Sequence, residues 1–179
     1  KNNKYIFIYS QATLSSETRW IDAAKPMDAF KVFQPRMKDV LYDVTPIDDR
    51  FLIRTNLNAK NFRLMHCPLD KTDSADWVEE IPHRKDVLLQ GVEEFKDFVV
   101  LNERKEGLVK LRVVNSNDKS EHYIDFGEAA YAASAGTNPE YNSKALRYNY
   151  TSLVTPASVF DYSMDTKAKK LMKQQLMQQ

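Results

Sequence analysis

Histidines, a lone cysteine and scattered carboxylates are the residues of this chain that could do chemistry, and their spacing decides which chemistry is open to them. His66, His83 and His122 lie apart, with no second ligand at i+2 or i+4, so they read as surface or strand-face residues rather than as a zinc site. Cys67 is the single cysteine, which rules out a disulfide within the chain and a multi-cysteine zinc site. It reads as an inert, half-buried strand thiol. The acidic pairs Asp48-Asp49, Glu79-Glu80 and Glu93-Glu94 lack the alternating spacing of a calcium loop and read as solvated turns and edges. The four glycines, Gly91, Gly107, Gly127 and Gly136, build neither a Gly-x-Ser-x-Gly nucleophile elbow nor a phosphate-cradling loop. Glycosidase chemistry needs two facing carboxylates, and Glu103 is the sole candidate, with no evident partner. No cofactor or metal is expected.

Charge narrows the partners in the same way. The 26 basic and 25 acidic side chains leave a net charge of +1, too little to attract nucleic acid or an anionic membrane, and neither partner is expected. No apolar run approaches the roughly 20 residues that a membrane-spanning helix needs. With 42% apolar and 28% charged residues, the 179-residue chain has the composition of a globular domain with a sizeable core. Its cysteine content leaves the compartment open, with the cytoplasm as the expectation and the periplasm as the alternative.

The elements that must position these side chains repeat. Four β-rich cores, Tyr5-Ile6-Phe7-Ile8-Tyr9, Phe51-Leu52-Ile53-Arg54-Thr55, Phe98-Val99-Val100-Leu101-Asn102 and Leu146-Arg147-Tyr148-Asn149-Tyr150, begin at steps of 46, 47 and 48 residues. That is the interval at which four-stranded propeller blades recur. About 15 strands can be placed around these cores, with turns rich in Asp, Asn, Ser, Lys and Gly between them. Asn117-Asp118 is a hairpin candidate because both residues tolerate left-handed backbone angles. The chain is therefore expected to be all-β, a partial β-propeller of about four four-stranded antiparallel blades at 1–36, 37–83, 84–127 and 128–173, with a tail at 174–179. The first blade lacks its innermost strand. The last segment reads as a strand followed by a disordered end, with a short helix from Lys167 as the alternative. A β-sandwich also has short strands and turns but does not require a four-strand super-period.

In a blade, the loops joining second to third strands emerge on one face. Near them lie Glu17, Arg19, Lys60, Asn61, Arg104, Thr151 and Ser152, which would form a polar and charged rim. Such a rim suits docking to a second domain or filtering a polar ligand, and a merely solvated surface is the alternative.

Several stretches are similar to the propeller of the oligopeptidase B branch of the prolyl oligopeptidase family. They are Thr13-Leu-Ser-Ser-Glu-Thr-Arg19, Phe33-Gln-Pro-Arg36, Arg50-Phe-Leu-Ile-Arg-Thr-Asn56, Lys60-Asn-Phe-Arg-Leu64, Leu146-Arg-Tyr-Asn-Tyr-Thr-Ser-Leu-Val-Thr-Pro156 and Val159-Phe-Asp-Tyr162. The resemblance implies a seven-bladed propeller covering an α/β-hydrolase catalytic domain of the same polypeptide, with a Ser, Asp, His triad and short peptides cleaved after basic residues. It places this chain in the later half of that propeller, with the triad and the substrate-reading acids elsewhere, so no catalytic residue carries over. The propeller's implied role is a gate that admits only short peptides. A freestanding propeller that binds a protein or peptide on its rim is the alternative. A chain that opens in mid-blade without a starting Met is expected to be a fragment, marginal alone and prone to self-association.

Overall fold

The computed structural model describes residues 3–176, and these form 15 strands in four antiparallel sheets. The first sheet has three strands, β1 (Tyr5–Gln11), β2 (Ser16–Asp22) and β3 (Lys31–Gln34). The second orders β4 (Tyr42–Pro46), β5 (Arg50–Thr55), β6 (Arg63–Pro68) and β7 (Val78–Ile81). The third orders β8 (Leu88–Glu94), β9 (Phe98–Lys105), β10 (Leu108–Asn115) and β11 (Glu121–Tyr123), and the fourth β12 (Tyr131–Ala135), β13 (Ala145–Ser152), β14 (Ser158–Ser163) and β15 (Lys169–Gln174). Neighbours in each sheet are neighbours in sequence, the simple meander of a propeller blade, and the fold is a partial β-propeller. The repeated cores fall on β1, the first strand of the three-stranded sheet, and on β5, β9 and β13, the second strand of each four-stranded sheet. The last segment is the strand β15; the disordered end expected after it runs into residues 177–179, which lie outside the described residues.

The chain divides into two compact units, residues 1–85 and 86–179. In the first, Phe51 and Ile53 of β5 are fully buried with Phe33, Tyr42, Val44, Met65, Cys67 and Trp77, and Tyr5, Phe7 and Trp20 pack against that cluster. Leu52 between them is also buried, so β5 is apolar on both faces, as an inner strand of stacked sheets must be. In the second unit, Phe98, Val100, Leu111 and Val113 meet Leu146, Tyr148, Tyr150 and Tyr162. There β13 alternates strictly, with Leu146, Tyr148 and Tyr150 buried and Arg147, Asn149 and Thr151 exposed.

Turn chemistry sets the registers. Glu106 and Gly107 both have positive φ, 52° and 81°, the signature of a two-residue type I′ turn, and the pair Lys105 and Leu108 closes it. Between β10 and β11 the left-handed residue is Lys119, with φ 61°, rather than Asn117 or Asp118. The side chains there act differently: Asn115 Oδ1 accepts the Asn117 amide at 2.8 Å, and Asp118 Oδ1 accepts both the amide and the hydroxyl of Ser120. Before β7, Asp73 caps a short 3-10 turn at Ser74–Asp76 that the sequence pattern did not indicate.

Candidate functional site

The residues expected to form a rim lie at or beside the β1–β2 connection of the three-stranded sheet and the second-to-third connections of the four-stranded sheets. At β1–β2, Arg19 Nε donates to Glu17 Oε1 at 3.0 Å and the Arg36 amide reaches Oε2 at 3.4 Å. The hydrogen bond from Arg19 is the main reason the Glu17 carboxyl titrates below its ordinary range. Arg36 then closes the turn: Nη1 donates to the carbonyl and hydroxyl oxygens of Ser15, both at 2.9 Å, and Nη2 to those of Ser10 at 3.1 and 3.0 Å. Held between those anchors, Leu14 projects with 62% of its surface exposed.

At β5–β6, Ala59 and Phe62 donate backbone bonds to Asn56 and Ala59, coiling the segment into two successive turns. Phe62 adopts φ 62°, a strained choice for a bulky residue, and its ring lies 4.2 Å beneath the Arg54 guanidinium. Asn61 Nδ2 donates to the carbonyls of Arg84 and Lys85 at 3.2 and 2.7 Å, so this residue ties the loop down. Lys60, next to it, is exposed. At the β9–β10 turn, Arg104 is exposed and its Nη1 caps the Gly107 carbonyl at 3.0 Å.

At β13–β14, Thr151 and Ser152 shape one turn. Thr151 Oγ1 donates to the Thr155 carbonyl at 3.1 Å, and Ser152 Oγ accepts the amides of Val154 and Thr155 at 3.1 and 2.8 Å. Glu128 anchors it from outside, accepting the hydroxyls of Tyr150 and Thr155, both at 2.8 Å. Hydrogen bonds from Ser152, Tyr150 and Thr155 hold the Glu128 carboxyl low, while burial and that same carboxylate push the Tyr150 phenol up to about 12. The structure thus joins Glu17 to Arg19 and sets Thr151 and Ser152 in one turn, while Asn61 ties down its loop and Lys60 beside it is exposed. Sequence reasoning missed the clamps Arg36 and Glu128 and the apolar tips Leu14, Leu153 and Val154.

Other candidate chemistry is structurally engaged. Cys67 is fully buried, and burial pushes its thiol up to about 12, far from the thiolate a nucleophile needs. Glu103 has partners after all: Arg112 donates Nε and Nη2 to Oε1 at 3.0 and 2.7 Å, and Tyr123 donates to Oε2 at 2.7 Å. Arg112 also reaches Glu121 at 2.9 Å. A buried carboxylate with both oxygens bonded is a packing device, not an acid awaiting a sugar. His66 sits 2.8 Å from Glu80, and His122 Nε2 lies 2.8 Å from the Tyr162 hydroxyl. Among the described residues no group of three or more His, Cys, Asp or Glu is arranged to hold a metal ion.

The chain's relatives agree with this architecture. The family described as "Prolyl oligopeptidase, N-terminal beta-propeller domain" matches residues 1–175. The chain is 39% identical over 176 residues to dipeptidyl aminopeptidase BI of Pseudoxanthomonas mexicana, covering 98% of this chain and 24% of that protein. It is 29% identical over 170 residues to Protease 2 of Moraxella lacunata, covering 95% and 24%. Among solved structures, oligopeptidase B from Trypanosoma brucei with covalently bound antipain, in its closed form, superposes with a TM-score of 0.88 at 25% identity, over 97% of this chain and 26% of that one. Oligopeptidase B from Leishmania major has the same fold, with a TM-score of 0.87 at 24% identity, over 96% of this chain and 26% of that one. The chain spans about a quarter of the length of these relatives. A four-sheet meander matched from end to end by that family is the basis for the assignment: the chain belongs to the prolyl oligopeptidase family, in its N-terminal β-propeller domain.

Proposed function

We propose that this chain is part of the substrate-filtering propeller of a serine oligopeptidase that hydrolyses short peptides after basic residues. The carrying observation is the family match over residues 1–175; the turns clamped by Arg36 and by Glu128 support it. The triad lies in an α/β-hydrolase domain of the same polypeptide, and the propeller acts by exclusion: a peptide thin enough to pass reaches the buried serine, whereas a folded protein does not. Preference for Arg or Lys is supported by the likeness to Protease 2 and to oligopeptidase B. Alone, the chain cleaves nothing and self-associates, since Ile6 and Ile8 of β1 are 42% and 47% exposed.

The test uses the full polypeptide and the isolated chain side by side. A serine-directed phosphonate should label the full polypeptide, which should cut short arginyl peptides and spare folded proteins; the isolated chain should do neither. Hydrolysis by the isolated chain, or indifference of the full polypeptide to basic residues, would overturn the proposal. The higher identity to a dipeptidyl aminopeptidase favours a second reading, release of dipeptides from amino termini. Mass spectrometry of the products separates the two.

A further inference from the structure

The β13–β14 turn presents two aliphatic side chains almost wholly to solvent, Leu153 at 93% and Val154 at 78% exposure. An exposed leucine on a loose loop would need no explanation, but this turn is held rigid. Ser152 Oγ binds the Val154 and Thr155 amides, the Ser152 amide and Thr151 Oγ1 both reach the Thr155 carbonyl, and Glu128 grips Thr155 and Tyr150 from a segment more than 20 residues away. Rigid presentation of apolar groups lowers the entropy lost when they are buried, the property that marks the anchor points of protein interfaces. The turn joins second to third strands, so it stands on the rim face of its sheet.

We infer that Leu153 and Val154 form an apolar anchor, locked by Glu128 as a positioning residue, onto which the catalytic portion of the same polypeptide docks. The inference rests on the proposed function and names the contact through which that propeller is held. The occupant follows from length: this chain accounts for 24% of its relatives, so about three quarters of such a polypeptide lies outside it. A rim anchor on the propeller domain then has a partner at high effective concentration, and two exposed aliphatics suffice for a contact that closes and reopens. The β9–β10 turn, by contrast, presents Glu106 and Gly107, with no apolar tip.

The experiment places a benzophenone amino acid at position 154 of the full polypeptide and maps photo-crosslinks by mass spectrometry. The expected result is an intramolecular crosslink to a peptide outside residues 1–179. A crosslink to a second copy or only to added peptide substrate, or none at all, overturns the inference. In parallel, Leu153→Ser/Val154→Ser should raise cleavage of long peptides relative to short ones by about tenfold, with the melting temperature unchanged, the scale expected for about 1.4 kcal/mol of lost contact. Leu153→Ile/Val154→Leu should restore the original ratio, and Glu128→Gln, which loosens the turn but keeps both tips, should fall between. An unchanged ratio in the double serine variant also overturns it. If the phosphonate fails to label the polypeptide, the peptidase reading falls, while the crosslink still decides the docking.

Discussion

Between the first and second sheets Phe51 is surrounded by Tyr5, Phe7, Trp20 and Phe33, with ring centroids 5.4, 6.3, 5.3 and 5.1 Å away. The hydroxyls that cross this seam end on the backbone: Tyr9 on the Val44 carbonyl at 2.9 Å and Tyr42 on the Gln34 carbonyl at 2.6 Å. Between the third and fourth sheets the rings of Phe126, Tyr131, Tyr148, Tyr150 and Phe160 do the packing; the Tyr131 hydroxyl ends on the Val109 carbonyl at 2.9 Å, whereas that of Tyr162 meets the ionisable ring of His122. Both seams bury comparable rings. The difference lies in one crossing contact: the second unit adds, beside a hydroxyl that ends on the backbone, one that ends on a histidine ring.

The largest test of this contrast is Phe51→Ala. Removing the ring on which four others converge should cost about 3–5 kcal/mol, read as a shifted urea midpoint, with hydrogen-exchange protection lost first in residues 1–85. Next in size is Arg112→Ala, which strips two donors from the buried Glu103 carboxylate; about 3 kcal/mol is expected, and an Arg112→Met/Glu103→Leu pair should be milder than the single change. Tyr162→Phe deletes only the hydroxyl that meets His122 and should cost about 1 kcal/mol by the same denaturation assay.

A smaller effect should appear as a slope rather than a step. Burial first, and Lys167 second, hold His122 below its ordinary value of 6.5, so the folded state favours the neutral ring. Between that lowered value and 6.5 the unfolded chain binds more protons. The associated stability is therefore complete above pH 6.5 and declines as pH falls from there to the folded value. Urea midpoints measured from pH 7.5 to 5 should show this decline, and His122→Gln should flatten it. Smallest of all is Arg147→Ala: Arg147 and Asp161 pair at 2.8 Å on an exposed sheet face, where water screens the charges, and the urea midpoint should barely move.

The strands were legible because each repeat combines β-branched and aromatic runs with Asp, Asn and Gly turns, and that local chemistry survives in the folded chain. Strand ends are set by turns: β11 stops at Tyr123, and two residues on Asp125 Oδ1 accepts the Gly127 amide at 2.8 Å in a turn. The partner of Glu103 was also within reach. Once the Glu106-Gly107 turn is placed, the register sets Glu103 opposite Lys110, and Arg112 lies one diagonal step away. The rim was harder. Its composition is visible in the chain, but Arg36 grips Ser10 across 26 residues and Glu128 grips Thr155 across 27, separations at which no local pattern operates.

Among the described residues the strand β15 pairs on one side only, with β14, and all six of its residues are exposed. Lys169, Lys170 and Lys173 account for half of them. A foreign strand seeking to extend this sheet would have to bring its own backbone alongside a row of ammonium groups and strip their water, and a second copy would add like charge to like. The basic edge therefore works as a guard against runaway sheet growth, allowing a protein built almost wholly of strands to end one without inviting the next.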